Sequence, residues 1–185
     1  MGQSETAMAS AGEIVRFWRD AGPKFWFVKD ETFDGRCRAF EAEHHVAARR
    51  ELTHWEMHAE GALALLILLD QIPRNIFRNS PHAFATDPMA QAVAQRAVAR
   101  RFDAATESLL RIFFYLPYEH AEDLALQEKG VKLTESLGDA EYLRYAILHR
   151  DIIARFGRFP HRNVILGRGS TAEELAFLAE GGFAG

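Results

Sequence analysis

From Ala11 to Gly182 the apolar residues return at intervals of three and four rather than two. No two-residue hairpin signal separates β-branched runs anywhere along the chain. A sequence patterned this way buries its apolar faces by packing helix on helix. The expectation is therefore an all-α protein, a single compact multi-helix domain of about eight helices spanning residues 11–185, behind a loose polar tail at residues 1–10. A length of 185 residues suits one such domain without a staple.

Local punctuation places the helices. The first runs over about 11–20 and stops at Gly22-Pro23. A second covers about 31–50, with Phe33, Cys37 and Phe40 on one stripe. The run "ALALLILL", Ala62 to Leu69, belongs to a buried helix over about 60–71 that Pro73 breaks. Asp87-Pro88 starts the next by chemistry, Asp87 capping free amides and Pro88 losing nothing at the first helical position. Further helices are expected over about 104–115, 119–137 and 139–156, the last two ending at Gly138 and Gly157. Ser170 and Glu173 have the spacing of a capping box for the final helix, which stops at Gly181-Gly182.

Composition excludes several function classes. The apolar run is far shorter than the ~20 residues that cross a bilayer, so no membrane association is expected. One cysteine rules out an internal disulfide. With no basic-then-apolar leader at the start, it points to a cytoplasmic chain. The net charge of -4 is spread over interleaved signs without a basic block, so nucleic acid is not an expected partner. No P-loop, dinucleotide fingerprint or G-x-S-x-G occurs. His54 and His58 share a spacing of four, but Trp55 stands where a zincin needs glutamate, which leaves a surface pair. Cys37 and the run Phe113, Phe114, Tyr115 read as packing residues.

The informative feature is a run of polar residues set against the most apolar part of the chain. "LLDQIPRNIFR" carries Asp70, Gln71, Arg74, Asn75 and Arg78 around Pro73. Two other junctions repeat the pattern. "LPYEHAED" sets Glu119, His120, Glu122 and Asp123 after Pro117, and "RFPHRN" sets Arg158, His161 and Arg162 around Pro160. On the helix over 139–156, His149 and Arg150 fall inside the apolar arc, whereas Arg144, Asp151 and Arg155 share a polar side. Buried polar groups need partners. If helical hairpins bring the three junctions to one end, Asp70, Arg74, Glu119, Asp123, His149 and His161 would surround one polar cleft, with Arg158 and Arg162 opposite in sign to the carboxylates.

The blocks "FWF", "LALLILLDQIPRNIFR", "AFATD", "FFYLPYEHAEDLALQE", "HRDIIARFGRFPHRN" and "LGRGSTAEE" closely resemble the bacterial family known as domain of unknown function 924, over about Ile14 to Phe183. The resemblance implies stacked helical hairpins near the tetratricopeptide-like superfamily and no established activity. The 34-residue period of true tetratricopeptide repeats is missing, which argues against a concave peptide groove.

Two functional classes follow. One is a small-molecule pocket for an anionic ligand, either ligand-binding or enzymatic, formed by Asp70, Gln71, Arg74, Asn75, Arg78, Glu119, His120, Asp123, His149, Arg158, His161 and Arg162. Its arginines would present planar forks to a carboxylate or phosphate, and Asp70, Glu119 or Asp123 with His149 would supply acid and base. The other is an interaction or structural module, tetratricopeptide-like, in which the same charges cancel in a buried salt-bridge network and a protein partner docks elsewhere. No cofactor and no bound metal are expected, because no closed ligand set can be read from the spacing.

Overall fold

The computed structural model describes residues 8–183. Of the expected loose tail, residues 1–7 lie outside the described residues. The remainder of it is tied down: Ser10 caps the first helix in a capping box with Glu13, and the Ala9 amide donates to Glu43 Oε1 at 2.8 Å. Among the described residues there are helices and turns and no strand.

Helix α1 (Ala11–Ala21) turns its Ile14, Val15 and Trp18 inward and ends at Gly22, whose φ of 73° suits a residue without a Cβ. The expected helix over 31–50 is divided. Helix α2 (Glu31–Cys37) passes through a 3₁₀ turn at Arg38–Phe40 into α3 (Glu41–Ala48). Cys37 is fully buried and its thiol is pushed up to about 12, chiefly by burial, which makes it a packing residue.

Helix α4 (Ala59–Leu66) is the centre of the molecule. Every side chain from Ala62 to Leu69 is 3% exposed or less, as expected of a helix apolar all round. Its start is pressed against the preceding 3₁₀ turn so closely that a Cβ on Gly61 would lie 2.2 Å from the Trp55 carbonyl oxygen. His54 and His58, in and just after that turn, are exposed.

Pro73 does not break this helix. The backbone widens into a π turn at Ile67–Gln71 and continues as helix through Ile72–Ile76, with Pro73 near the start of that segment. Proline offers no N–H, and a widened turn shifts the bonding register, so carbonyls here need outside donors. They have them. His44 Nδ1 bonds the Leu68 carbonyl at 2.8 Å, Thr86 Oγ1 donates to the Leu69 carbonyl at 2.5 Å, and Arg74 Nη1 donates to the Asp70 carbonyl at 2.6 Å. Part of the polar crowd around Pro73 exists to satisfy this backbone.

Helix α5 (Asp87–Ala99) starts where Asp87-Pro88 placed it, but the capping role assigned to Asp87 is corrected. Thr86 is the cap residue, with no side-chain capping bond, and the Asp87 carboxylate turns to two arginines instead. The stretch expected as one helix over 104–115 is a turn followed by short helical pieces at Ser108–Arg111 and Ile112–Phe114. Phe113, Phe114 and Tyr115 are core, each 2% exposed or less.

The helix expected from 119 begins later, because Asp123 caps α6 (Leu124–Glu135) by accepting from the Leu126 amide. Glu119 belongs to a separate single turn, Leu116–Glu119. Helix α7 (Ala140–Phe156) packs along α6 as a hairpin and ends at Gly157 in the left-handed conformation. The capping box of α8 (Ala172–Ala179) is made by Thr171 and Glu174, one residue beyond the expected pair, while Ser170 accepts from Asn163 Nδ2. No helix among the described residues is long and apolar enough to cross a membrane.

Candidate functional site

The π turn at the end of α4 aims Asp70 at the one-turn helix carrying Glu119 and His120. Asp70 is 1% exposed, and every neighbour of its carboxylate is a donor. His120 Nδ1 is 2.7 Å from Oδ1, Arg74 Nη1 is 3.2 Å from Oδ1, and Gln71 Nε2 donates to Oδ2. Burial alone would raise its pKa, but Arg74, His120 and Gln71 together hold the carboxyl well below its usual range.

Arg74 reaches on to Asp87, its Nη2 3.0 Å from Oδ2. Burial disfavours its charge, and Asp70 and Asp87 more than restore it. Asp87 is shared with Arg162, whose Nη1 lies 3.3 Å from Oδ2 and also donates to the His120 carbonyl at 3.2 Å. The Arg162 guanidinium lies 4.6 Å from the Phe84 ring centroid and 4.4 Å from that of Phe159, contacts that help hold a cation in an apolar setting. Burial first and then Arg74 push Arg162 down to about 10, against Asp87. Its Nε is buried without a hydrogen-bond partner among the described residues.

Behind His120 lies a second layer. His149 Nδ1 is 2.8 Å from the Tyr145 carbonyl and 3.1 Å from Glu119 Oε1. Burial, helped by Asp70, pushes the Glu119 carboxyl up to about 8, and burial pushes His149 down to about 3. At neutral pH the two are therefore a close contact of neutral groups rather than an ion pair, and His149 Nδ1–H donates to the Tyr145 carbonyl. His161 is pushed down to about 4, mainly by burial and then by Arg162. The Phe183 ring closes this layer, 4.5 Å from His149 and 5.3 Å from His161 between centroids.

In front of these layers an open cleft of about 290 Å³ is walled by Phe84, Asp87, Gln91, His120, Glu122 and Arg162, among others. Of the residues expected around one cleft, His120 and Arg162 line it. Asp70, Gln71 and Arg74 support those two from behind, and Glu119, His149 and His161 form the layer beneath.

Four expected members are elsewhere. Asn75 and Arg78 both bond Asp34, because the turn that carries them faces α2. Arg158 pairs with Glu174 of α8. Asp123 is occupied as a helix cap. Glu122, which the sequence sets beside Glu119 and His120 after Pro117, is held by Arg168 through two hydrogen bonds and accepts the Phe159 amide. Among the described residues no three His, Cys, Asp or Glu side chains are grouped as metal ligands would be. Arg150 lies at the surface beside Asp151, while His149 is buried as its helical position required.

Two members of the cluster escaped the sequence reading. Asp87 was legible only as a helix start. Phe84, in the 3₁₀ turn Pro81–Phe84, carried no signal beyond being aromatic next to a proline turn.

Comparison with known proteins gives a family and a relative but no activity. No curated protein matches the chain. A solved structure titled as a protein of unknown function, ATU0120 from Agrobacterium tumefaciens, is similar with a TM-score of 0.89 and 51% sequence identity, over 92% of this chain and 97% of that one. The family model described as "Bacterial protein of unknown function (DUF924)" matches residues 14–182, and the chain belongs to that family.

Proposed function

We propose that the cleft in front of Arg162 binds a small anionic molecule. The observation that carries this reading is the state of Arg162. Its side chain is 7% exposed, it shares its one carboxylate with Arg74, and its Nε has no acceptor among the described residues. A buried donor without a partner costs about 1–3 kcal/mol, and an anion seated against the guanidinium adds a charge-assisted bond to a cation whose one carboxylate is shared. The cleft is large enough for a metabolite of a few heavy atoms, and His120 beside Arg162 supplies a second polar contact.

The test is calorimetric titration with inorganic phosphate, acetate and a panel of small organic acids, on the wild type and on Arg162→Met. Saturable binding that the substitution abolishes, with little loss of thermal stability, supports the site. No binding by any anion, together with a stability loss of several kcal/mol, supports the other reading.

That other reading is a structural or protein-interaction module, and one set of contacts favours it. Arg78 with Asp34, Arg158 with Glu174 and Arg168 with Glu122 are paired charges that cancel locally. They leave the cleft of Arg162 as the place where cancellation is incomplete.

A further inference from the structure

An ionised carboxylate only accepts hydrogen bonds. Because Asp70 is held in its ionised form by Arg74, Gln71 and His120, the 2.7 Å contact from its Oδ1 to His120 Nδ1 requires the proton to stand on Nδ1. The other ring nitrogen, Nε2, then carries a lone pair. His120 lines the cleft with a side chain 14% exposed, and Nε2 has no hydrogen-bond partner among the described residues. The charged and titratable groups facing this ring are Asp70, Arg74, Asp87 and His161, with His149 at 6.5 Å between ring centroids and Arg162 bonded to the His120 carbonyl. Burial and the nearby guanidinium of Arg74 disfavour an imidazolium, against the pull of Asp70, so the ring is neutral at neutral pH.

We infer that His120 is the proton acceptor of the cleft and Asp70 its positioning residue, and that the anion held by Arg162 presents an O–H to His120 Nε2. This rests on the anion site proposed above and narrows its ligand. A hydroxy acid or a phosphate retaining one proton fits, because it offers oxygens to the guanidinium and a donor to the imidazole. A simple carboxylate offers only the first. In the transfer, the O–H bond breaks, the proton joins Nε2, and the oxygen keeps the electron pair. The new positive charge on the ring faces the Asp70 carboxylate, already in place, and the proton afterwards returns to the product or to solvent. An Asp-oriented imidazole of this kind is the arrangement that acts as a general base.

Two measurements on the full chain test it. Long-range proton–nitrogen spectra of the imidazoles at pH 7 are expected to show His120 as the Nδ1–H form. Finding Nε2–H instead would overturn the inference, and this needs no variant. Carbethoxylation by diethyl pyrocarbonate, followed by mass spectrometry, is expected to modify His120 ahead of the buried His149. Glycolate or inorganic phosphate should slow it about tenfold, the effect of ~1.4 kcal/mol of binding, and acetate much less.

Asp70→Asn is expected to shift the pH midpoint of His120 reactivity downward and to mix its tautomers, which a purely structural role would not do. Equal protection by acetate would overturn the hydroxyl requirement. A reactive Nδ1–H ring that no anion protects would overturn the anion site and the ligand class, leaving the proton acceptor. A His120 that is unreactive in the absence of any anion, in a protein that binds phosphate by calorimetry, would overturn the proton acceptor alone.

Discussion

Asp70 and His120 stand 50 residues apart in the chain, yet Oδ1 of one and Nδ1 of the other are 2.7 Å apart at the base of the cleft. The contact joins the end of the central helix α4 to the turn before α6, and the two arginines that surround it differ in what they hold.

That difference gives a pair of outcomes. Arg74 compensates both Asp70 and Asp87, so Arg74→Met leaves two buried carboxylates poorly matched and is expected to cost about 3–5 kcal/mol. Arg162→Met leaves Asp87 still paired with Arg74 and removes one longer bond to that carboxylate and one to the His120 carbonyl, for a cost of about 1–2 kcal/mol. Urea unfolding of both variants checks the order. Equal costs would mean that the arginines form one indivisible network.

The satisfied carbonyls of the π turn can be tested one at a time. Thr86→Val keeps the shape but removes the donor to the Leu69 carbonyl, which Pro73 cannot replace. A loss of about 1–3 kcal/mol is expected, measured as a lower urea midpoint at unchanged slope.

Stability should fall toward high pH through Glu119. Its folded carboxyl, pushed up to about 8 from the ordinary 4.5, keeps its proton longer than in the unfolded chain. The associated stability is complete below about 4.5 and is lost as the pH rises through about 8. Glu119→Gln does not titrate and should flatten that decline. The acid side is governed by His149, pushed down to about 3 from 6.5, whose contribution is present above 6.5 and lost as the pH falls toward 3. That limb should survive in the variant. Thermal midpoints from pH 4 to 9 for the two proteins give the comparison.

The central helix supplies the severest case. Leu66 is 0% exposed, and Leu66→Asp places a charge where no partner exists. A loss above about 4 kcal/mol is expected, and an unchanged midpoint in thermal unfolding would contradict the burial of α4.

Much of this arrangement was legible in the sequence for local reasons. Gly22, Gly138 and Gly157 end helices through their own backbone freedom, and the apolar run from Ala62 to Leu69 can only be core. The proline junctions do converge in part: Asp70 of the first meets His120 of the second, whose carbonyl accepts from Arg162 of the third. What escaped was set by packing rather than by neighbours in the chain. Asp87 looked like a cap because Asp-Pro is a local signal, but buried arginines outcompeted free amides for its carboxylate. Pro73 looked like a stop because a π turn has no residue code. Arg78 and Arg158 matched the cleft in charge, yet met Asp34 and Glu174 first because those lie on the elements packed against their turns.

The π turn also bears on the order in which the chain assembles. The carbonyls of Leu68 and Leu69 are bonded by side chains 24 and 17 residues away, so the helix begun at Ala59 can form on local hydrogen bonds but leaves these two carbonyls without their final donors. Its completion waits for α3 and the segment before α5 to close loops onto it, at an entropic cost that grows slowly with their length. Asp70 takes its place in the same event. Until then water must bond these two carbonyls, so the central helix and the cleft receive their final hydrogen bonds together.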